Sequence, residues 1–238
     1  MPASVSASPA ARAFAWAGGA VFAAALAAGA WFFAVALAAP GPADRAIAPA
    51  VAWNVALFSL FALHHSLLAR AGARAWIART VTAPLERAVY VWVASVLFLG
   101  TCLLWRRVPG VLYEVDGALR WALAGVQVAG VVLTLAGARV LDALELAGIR
   151  QVTRPAAEAA IRVVWPFTLV RHPIYLGWVC MVGAATPMTV DRAIFAAVSS
   201  LYLVIAIPWE ERSLAAAAGP AYQAYCRQVR WRLIPGLY

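Results

Sequence analysis

Long apolar windows, separated by short segments that hold the charged residues, dominate the pattern along this chain. Roughly 20 residues, at about 1.5 Å each, cross a hydrocarbon core, so an apolar window of about that length predicts a spanning helix. A longer apolar stretch at about 174–208 contains the turn-forming sequence ATPMTVD at 185–191, which predicts a helical hairpin. The four other windows are at about 13–39, 50–69, 88–105 and 118–140. We therefore predict an all-α polytopic membrane protein with about six transmembrane helices.

The two arms of the predicted hairpin have similar lengths. The outgoing arm takes about 174–188 and the returning arm about 192–208, or roughly 23–25 Å each at the rise of an α-helix. We therefore expect both ends at one depth, with Arg171 and His172 beside Glu210 and Glu211. Neighbouring residues on a helix point about 100° apart, so we expect one glutamate to face a pocket and the other to pair with an arginine.

The composition agrees with a membrane protein. Of the 238 residues, 65% are hydrophobic and 12% are charged, whereas soluble domains carry about 25% charged residues. The first apolar window exceeds the roughly 7–15 residues of a signal-peptide core, so we expect it to be retained as a helix. We predict one domain over 1–238, with N-terminal helices at 1–140 and a charged, ligand-binding part at 141–238.

The charges predict an orientation. All 19 basic residues are arginine and the net charge is +9, which suits anionic lipid headgroups and basic loops rather than nucleic acid, since the chain has no soluble basic domain. Segment 70–87 carries four arginines against Glu86, a net charge of +3, which predicts a cytoplasmic loop and a cytoplasmic amino terminus. On the same count, 141–173 and the tail after Trp209 are cytoplasmic. The four arginines are Arg70, Arg74, Arg79 and Arg87.

The cysteines predict neither a disulfide framework nor a metal site. Cys102, Cys180 and Cys226 are far apart, odd in number and form no CxxC pair.

The sequence VRHPIYLG places a polar pair at the start of the hairpin. Pro173 belongs in the first turn of a helix, where its missing N–H needs no partner, so Arg171 and His172 precede that helix at the membrane surface. A helix amino terminus together with an arginine fork suits a carboxylate or phosphate. The alternative is that these charges only anchor the hairpin in the interface.

The tail GPAYQAYCRQVRWRLIPGLY (219–238) carries tyrosines and arginines at helix-like spacing. One interpretation is an interfacial anchor built from aromatic and basic side chains. The other is a lid over a ligand held between the hairpin ends, and the two interpretations are compatible.

The order of these elements resembles a known signature. RHPxYxG, an apolar hairpin, EE and then spaced tyrosines are similar to the carboxyl-terminal part of isoprenylcysteine carboxyl methyltransferases and related phospholipid methyltransferases. Further segments resemble the bacterial methanethiol S-methyltransferase branch of that superfamily, which is grouped with NnrU-type membrane proteins. These segments are FALHHSLLAR (61–70), APLERAVYV (83–91), GIRQV (148–152) and TPMT (186–189).

The resemblance implies S-adenosylmethionine as cofactor, bound at the cytoplasmic ends of the last helices. Because this cofactor carries a carboxylate, an ammonium and a sulfonium, its site needs hydrogen-bond donors beside carboxylates. We predict Arg171, His172 and Glu210 as the catalytic residues. His64 and His65 lie in the second apolar window near its cytoplasmic end, so they are predicted, with Gln151, to bind the acceptor, and the alternative is that the two histidines are interfacial. The implied cofactor-binding residues are Arg171, His172, Pro173, Tyr175, Gly177, Glu210, Glu211, Tyr222 and Tyr225.

We therefore predict a methyltransferase of a bacterial inner membrane whose active site faces the cytoplasm and whose acceptor is a small thiol such as methanethiol. Its expected partners are the acceptor and membrane lipids, without nucleic acid or metal. A prenylated or lipid acceptor is the alternative within the enzyme class. The alternative of another class is a non-catalytic NnrU-like protein or a small-solute transporter. A transporter needs ionisable groups near mid-bilayer, whereas Gln127 is the only strongly polar side chain well inside a predicted span.

Overall fold

A computed structural model describes residues 8–68, 71–153 and 161–238. Arg70 of the predicted cytoplasmic loop lies outside these described residues. Two short strands, β1 (Val111–Tyr113) and β2 (Met188–Thr189), pair antiparallel. The described α-helices are α1 (Pro9–Ala34), α2 (Ile47–Leu68), α3 (Ala71–Thr80), α4 (Glu86–Leu103), α5 (Gly117–Val140), α6 (Ala143–Leu146), α7 (Arg150–Thr153), α8 (Pro173–Gly183), α9 (Val190–Ala218) and α10 (Pro220–Gln228).

The all-α polytopic membrane fold is confirmed. In the described part of the chain, α1, α2, α4, α5 and α9 are each long and apolar enough to cross a membrane, and α8 is a shorter apolar helix. Large apolar side chains such as Trp121 on α5, 77% exposed, lie on the outer surface of these helices. Such exposure is expected where the surrounding solvent is lipid, because apolar surface then gains little from burial within the protein.

The predicted hairpin is present, but the expectation of two equal helical arms is wrong. The outgoing helix, α8, has 11 residues, or about 16 Å of rise, whereas α9 takes about 30 Å from its start to Glu210. Residues 184–189 make up the difference, because non-helical backbone covers up to about 3.3 Å per residue. The returning helix also continues past residue 208 to Ala218, so both glutamates lie within α9 and not at its end.

The described chain divides into two compact units. The first comprises Met1–Ala34, Ala56–Trp105 and Asp142–Ala157, and the second comprises Val35–Val55, Arg106–Leu141 and Glu158–Tyr238. In the first unit α1 packs on α4, with the Trp92 and Phe98 rings filling the space that a Cβ would take at Gly18 and Gly29. Each unit uses sequence from both sides of residue 140, and the single-domain organisation stays a prediction.

In the second unit α5 and α8 approach each other through small residues. A Cβ on Gly177 of α8 would lie 2.4 Å from Thr134 Oγ1 and 2.5 Å from the Gly130 carbonyl oxygen of α5. Small residues of this kind let two membrane helices bring their backbones together. Gln127 Nε2 donates to the Met181 carbonyl at 2.9 Å, which satisfies one of the carbonyls left unpaired at the end of α8. The one polar side chain predicted deep in a span therefore has a structural role.

The start of α9 is fixed by a buried carboxylate. Asp191 is fully buried and accepts hydrogen bonds from Arg107 Nε at 2.9 Å and from the Val108 N–H at 3.0 Å. The side chain of Thr189 caps the helix by accepting from the Arg192 N–H. These contacts hold β2 and the first turn of α9 against the segment after α4. From the sequence, Asp191 is predicted only to be part of a turn, and nothing in the sequence indicates its partners.

Candidate functional site

The structure brings the two charged clusters of the hairpin together. Arg171 Nε donates to Glu211 Oε1 at 2.6 Å, across 40 positions of sequence, and this confirms the predicted juxtaposition. Arg232 Nε donates to the other oxygen, Oε2, at 3.0 Å. The prediction that one glutamate pairs with an arginine is thus confirmed, and the residue is Glu211. A carboxylate with one arginine on each oxygen is a strongly oriented acceptor.

Glu210 points differently and is more exposed than its neighbour. Its side chain is 42% exposed, against 12% for Glu211. Glu210 Oε2 accepts a hydrogen bond from Tyr175 Oη at 2.7 Å. One glutamate is therefore enclosed between two arginines, and the other is held by a phenol and open to solvent on one side.

His172 lies between the two glutamates. Its Nδ1 is 3.7 Å from Glu210 Oε2, and its Nε2 is 3.5 Å from Glu211 Oε1. The ring stacks on Tyr175, with 5.3 Å between centroids, and the residue is only 6% exposed. Among the described residues, Nε2 has no hydrogen-bond partner of ordinary geometry. A buried ring nitrogen without a partner costs free energy, which makes it a candidate ligand contact.

The first turn of α8 begins as predicted, with Pro173 at the first helical position. Its surroundings differ from the expected open anion site. The N–H groups of Arg171 and His172 donate to the Trp231 and Arg232 carbonyls of the tail, both at 2.9 Å. Arg171 Nη1 also donates to two tail carbonyls, those of Val229 and Arg230, at 3.1 Å each. Most donors near this helix end are therefore used by the protein itself.

The tail packs against the charged cluster through its tyrosines as well as its backbone. Tyr225 Oη donates to the Phe167 carbonyl at 2.9 Å, and burial raises the pKa of Tyr225 to about 12. Tyr222 is 4% exposed, and its hydroxyl has no hydrogen-bond partner among the described residues. Burial, followed by the charge of Glu211, raises the pKa of Tyr222 well above its ordinary value. Both phenols are therefore neutral at physiological pH and able to donate.

An open groove of about 500 Å³ lies beside this cluster, between α9, α10 and the end of the tail. Its lining includes Glu211, Tyr222 and Arg232. Small-molecule sites in proteins commonly have volumes of about 300–1,000 Å³. The groove is therefore large enough for a nucleoside-sized ligand, and both Tyr222 and Glu211 line it.

The predicted site residues differ in what they contact. A Cβ at position 177 would clash with α5, and this close packing is enough to explain why the residue is a glycine. His64, His65 and Gln151 belong to the first compact unit. His65 lies 3.0 Å from Tyr90 Oη, and Gln151 Nε2 donates to the Glu145 carbonyl at 3.4 Å. Their role in acceptor binding stays a prediction.

Arg232 is the member of the cluster whose role the sequence analysis missed. It was placed in the tail as an anchoring charge, yet it pairs with Glu211 and also donates to Tyr238 Oη at 3.3 Å. The signal available in sequence was the density of arginines in the tail, which does not say which arginine turns inward.

Comparison with known proteins identifies similar chains. The methanethiol S-methyltransferase 1 of Bradyrhizobium diazoefficiens is 37% identical over 198 residues, which are 81% of this chain and 69% of that protein. The methanethiol S-methyltransferase of Mycobacterium tuberculosis is 36% identical over 200 residues, covering 80% of this chain and 82% of the relative. That of Pseudomonas deceptionensis is 33% identical over 190 residues, covering 77% and 72%. No family model matches the chain, and no solved structure matches it.

Proposed function

The chain belongs to the methanethiol S-methyltransferase family, and from that premise we propose that it transfers a methyl group from S-adenosylmethionine to the sulfur of methanethiol, giving dimethyl sulfide. We place the enzyme in a bacterial inner membrane with its active site facing the cytoplasm. The net positive charge of segment 70–87 supports that orientation. A prenylated or lipid acceptor and a non-catalytic role are alternatives that no observation here favours.

One observation carries the proposal. His172 is buried between Glu210 and Glu211, and its Nε2 makes no hydrogen bond of ordinary geometry among the described residues. Glu211 also lines the groove, where the buried Tyr222 hydroxyl is a second polar group of this kind. Proteins rarely leave such polar atoms unsatisfied unless a ligand or water completes them. A cofactor with a carboxylate, an ammonium and a sulfonium offers both acceptors and positive charge, so this donor and carboxylate set fits it.

When bound, S-adenosylmethionine would supply an electrophilic methyl group: the thiol sulfur would attack the methyl carbon in line, the bond from that carbon to the sulfonium sulfur would break, S-adenosylhomocysteine would leave, and the thiol proton would pass to a basic side chain of the site. Such a displacement depends on alignment more than on acid–base help. Arg171 and Arg232 hold the Glu211 carboxylate in a fixed position at one side of the site. Glu210, held by Tyr175, presents a carboxylate to the open side, where positive charge on the donor is stabilised.

His172 is the residue of the cluster best suited to handle the proton of the thiol. Its two ring nitrogens lie 3.7 and 3.5 Å from carboxylate oxygens of Glu210 and Glu211, so an imidazolium formed by taking up the thiol proton would have a carboxylate on each side. The protonated ring in turn favours the thiolate, which is the nucleophilic form of the acceptor.

The test uses the full chain purified into lipid nanodiscs with S-adenosylmethionine labelled in its transferred methyl group. Methanethiol, a prenylcysteine and a phospholipid amine are offered separately, and labelled products are separated by volatility and extraction. We expect labelled dimethyl sulfide and no labelled lipid. Donor binding with a labelled prenylcysteine or lipid would overturn the thiol acceptor. Absence of donor binding and of all three products would overturn the enzymatic assignment.

A further inference from the structure

The Glu211 carboxylate is already charge-paired and largely enclosed. Each of its oxygens already accepts from an arginine, Oε1 from Arg171 and Oε2 from Arg232. The side chain is 12% exposed, so there is also little room for another group to approach it. The charge that Glu211 contributes to the neighbouring groove is therefore offset locally by its two partners.

The groove itself is lined by an excess of positive charge. Arg212, Arg227 and Arg232 line it against Glu211 alone, and three minus one leaves +2. In the part of the chain that the structure describes, Arg212 and Arg227 make no ion pair with a carboxylate. Arg212 lies over the Trp209 ring at 4.7 Å, which orients its guanidinium without neutralising it. Positive charge held this way favours an anionic ligand.

The Tyr222 hydroxyl adds a buried donor to the same groove. The residue is 96% buried and lines the groove, and its oxygen makes no hydrogen bond of ordinary geometry among the described residues, with only the weakly polar thiol of Cys226 beside it. Burial raises the pKa of Tyr222, so the hydroxyl keeps its proton across the physiological range. A neutral phenol beside guanidinium groups is a donor that an oxyanion would satisfy.

We propose that this groove is an anion subsite, in which Tyr222 Oη and the guanidinium groups of Arg212 and Arg227 bind a carboxylate or a phosphate. The carboxylate is that of the methionine moiety of the cofactor, and in this form the inference rests on the proposed function. The phosphate of an anionic membrane lipid has the same chemistry and is the second source. In either case the groove, and not the first turn of α8, receives the anion.

The experiment compares two nucleosides that differ at the amino-acid end. S-Adenosylhomocysteine carries the carboxylate, whereas 5′-methylthioadenosine lacks it, and both are titrated by calorimetry into the full chain in phosphatidylcholine nanodiscs. We expect Tyr222→Phe and Arg227→Gln each to weaken the binding of S-adenosylhomocysteine by roughly tenfold or more, because hydrogen bonds to charged groups are stronger than those between neutral groups. Binding of 5′-methylthioadenosine should stay within about twofold. Arg230→Gln is the matched control, because this tail arginine is exposed and does not line the groove.

A second arm identifies the source of the anion. Retention of phosphatidylglycerol relative to phosphatidylcholine is measured by native mass spectrometry for the same variants. Unchanged nucleoside binding with loss of phosphatidylglycerol retention supports the subsite with lipid phosphate as its occupant. If the variants bind both nucleosides more weakly to the same extent, the proposed subsite is wrong. It is also wrong if neither nucleoside binding nor phosphatidylglycerol retention changes. If the unaltered protein binds neither nucleoside, the proposed function fails, and the lipid arm alone decides for or against the groove.

Discussion

Arg171 and Glu211 are joined by a 2.6 Å hydrogen-bonded ion pair between the residue two positions before α8 and a residue within α9. Their side chains are 9% and 12% exposed. An ion pair this enclosed contributes orientation, and its main energetic signature is the cost of removing one partner. It ties the start of the hairpin to its return at the place where the tail crosses, so the same contact defines both the fold of the carboxyl-terminal part and the edge of the groove.

Neutralising the two glutamates should separate stability from catalysis. Glu211→Gln leaves Arg171 and Arg232 without a negative partner, so we expect it to lower the free energy of unfolding by about 2–3 kcal/mol, reduced from a fully buried pair because Arg232 is partly exposed. Glu210→Gln should change stability by less than about 1 kcal/mol, because its carboxylate is 42% exposed. Unfolding in mixed micelles measures both.

The methyl-transfer rates of the same two variants complete the comparison. We expect Glu210→Gln to lose at least about tenfold in kcat/KM while remaining folded, since it removes a carboxylate from the open side of the cluster. Equal stability losses in both variants, with equal activity, would contradict the distinct roles assigned to the two glutamates.

Tyr175→Phe tests whether the orientation of Glu210 matters. The change removes the 2.7 Å hydrogen bond to Glu210 Oε2 and keeps the stacking on His172. Because a misplaced group beside the reacting centre can cost up to about 100-fold in rate, we expect kcat to fall by about tenfold, and because Glu210 is 42% exposed we expect little change in the unfolding midpoint. The rate in nanodiscs at saturating donor is the measurement. A rate equal to that of the unaltered protein would show that Glu210 needs no orienting phenol.

Gly177→Ala tests the packing of α8 on α5. The new methyl group would lie 2.4 Å from Thr134 Oγ1 and 2.5 Å from the Gly130 carbonyl, so the helices must move apart, at a cost of about 1–3 kcal/mol. Gly183→Ala, at the other end of the same helix, is the matched control because nothing lies within 4 Å of its Cβ position. Thermal unfolding in detergent compares the two. Similar midpoints would mean that this close approach does not exist.

Asp191→Asn should affect stability without affecting chemistry. Asp191 is fully buried and pairs with Arg107 at 2.9 Å, so losing its charge should cost about 3 kcal/mol. The kcat of the folded variant, measured well below its unfolding midpoint, should stay within about twofold, since Arg107 and the Val108 N–H, which donate to Asp191, lie outside the charged cluster. Asp116→Asn, an exposed position, serves as the control. A selective loss of kcat with normal stability would indicate that Asp191 acts in the active site.

Hydropathy and spacing predicted the spans, the hairpin and the meeting of Arg171 with Glu211. The reason is physical: a chain that enters an apolar layer and leaves it on the same side returns to the same depth whatever the details of the turn. For the same reason, the predicted meeting of Arg171 with Glu211 is correct although the predicted equal arm lengths are wrong. The sequence ATPMTVD marked the turn of the hairpin, but an apolar segment has the same hydropathy whether it is helical or extended, so the end of α8 at Gly183 could not be predicted.

Two kinds of contact could not be predicted from the sequence: those made by backbone atoms and those that depend on how the helices pack. The tail contacts Arg171 and His172 through its backbone carbonyls. Every residue has a carbonyl, so the sequence does not indicate which ones make these contacts. Gly177 was noticed as part of a motif, but its neighbours on α5 follow only from the packing of two helices. The pairing of Arg232 with Glu211 likewise depends on how the tail turns after α10.

The most direct test of the central claim is photocrosslinking of methyl-labelled S-adenosylmethionine to the unaltered protein in nanodiscs, followed by peptide mapping. The account predicts labelled peptides from 171–177 and 208–232, competed away by S-adenosylhomocysteine. Labelled peptides confined to residues before 141, or labelling that S-adenosylhomocysteine does not reduce, would contradict a methyl-donor site at the paired ends of the hairpin.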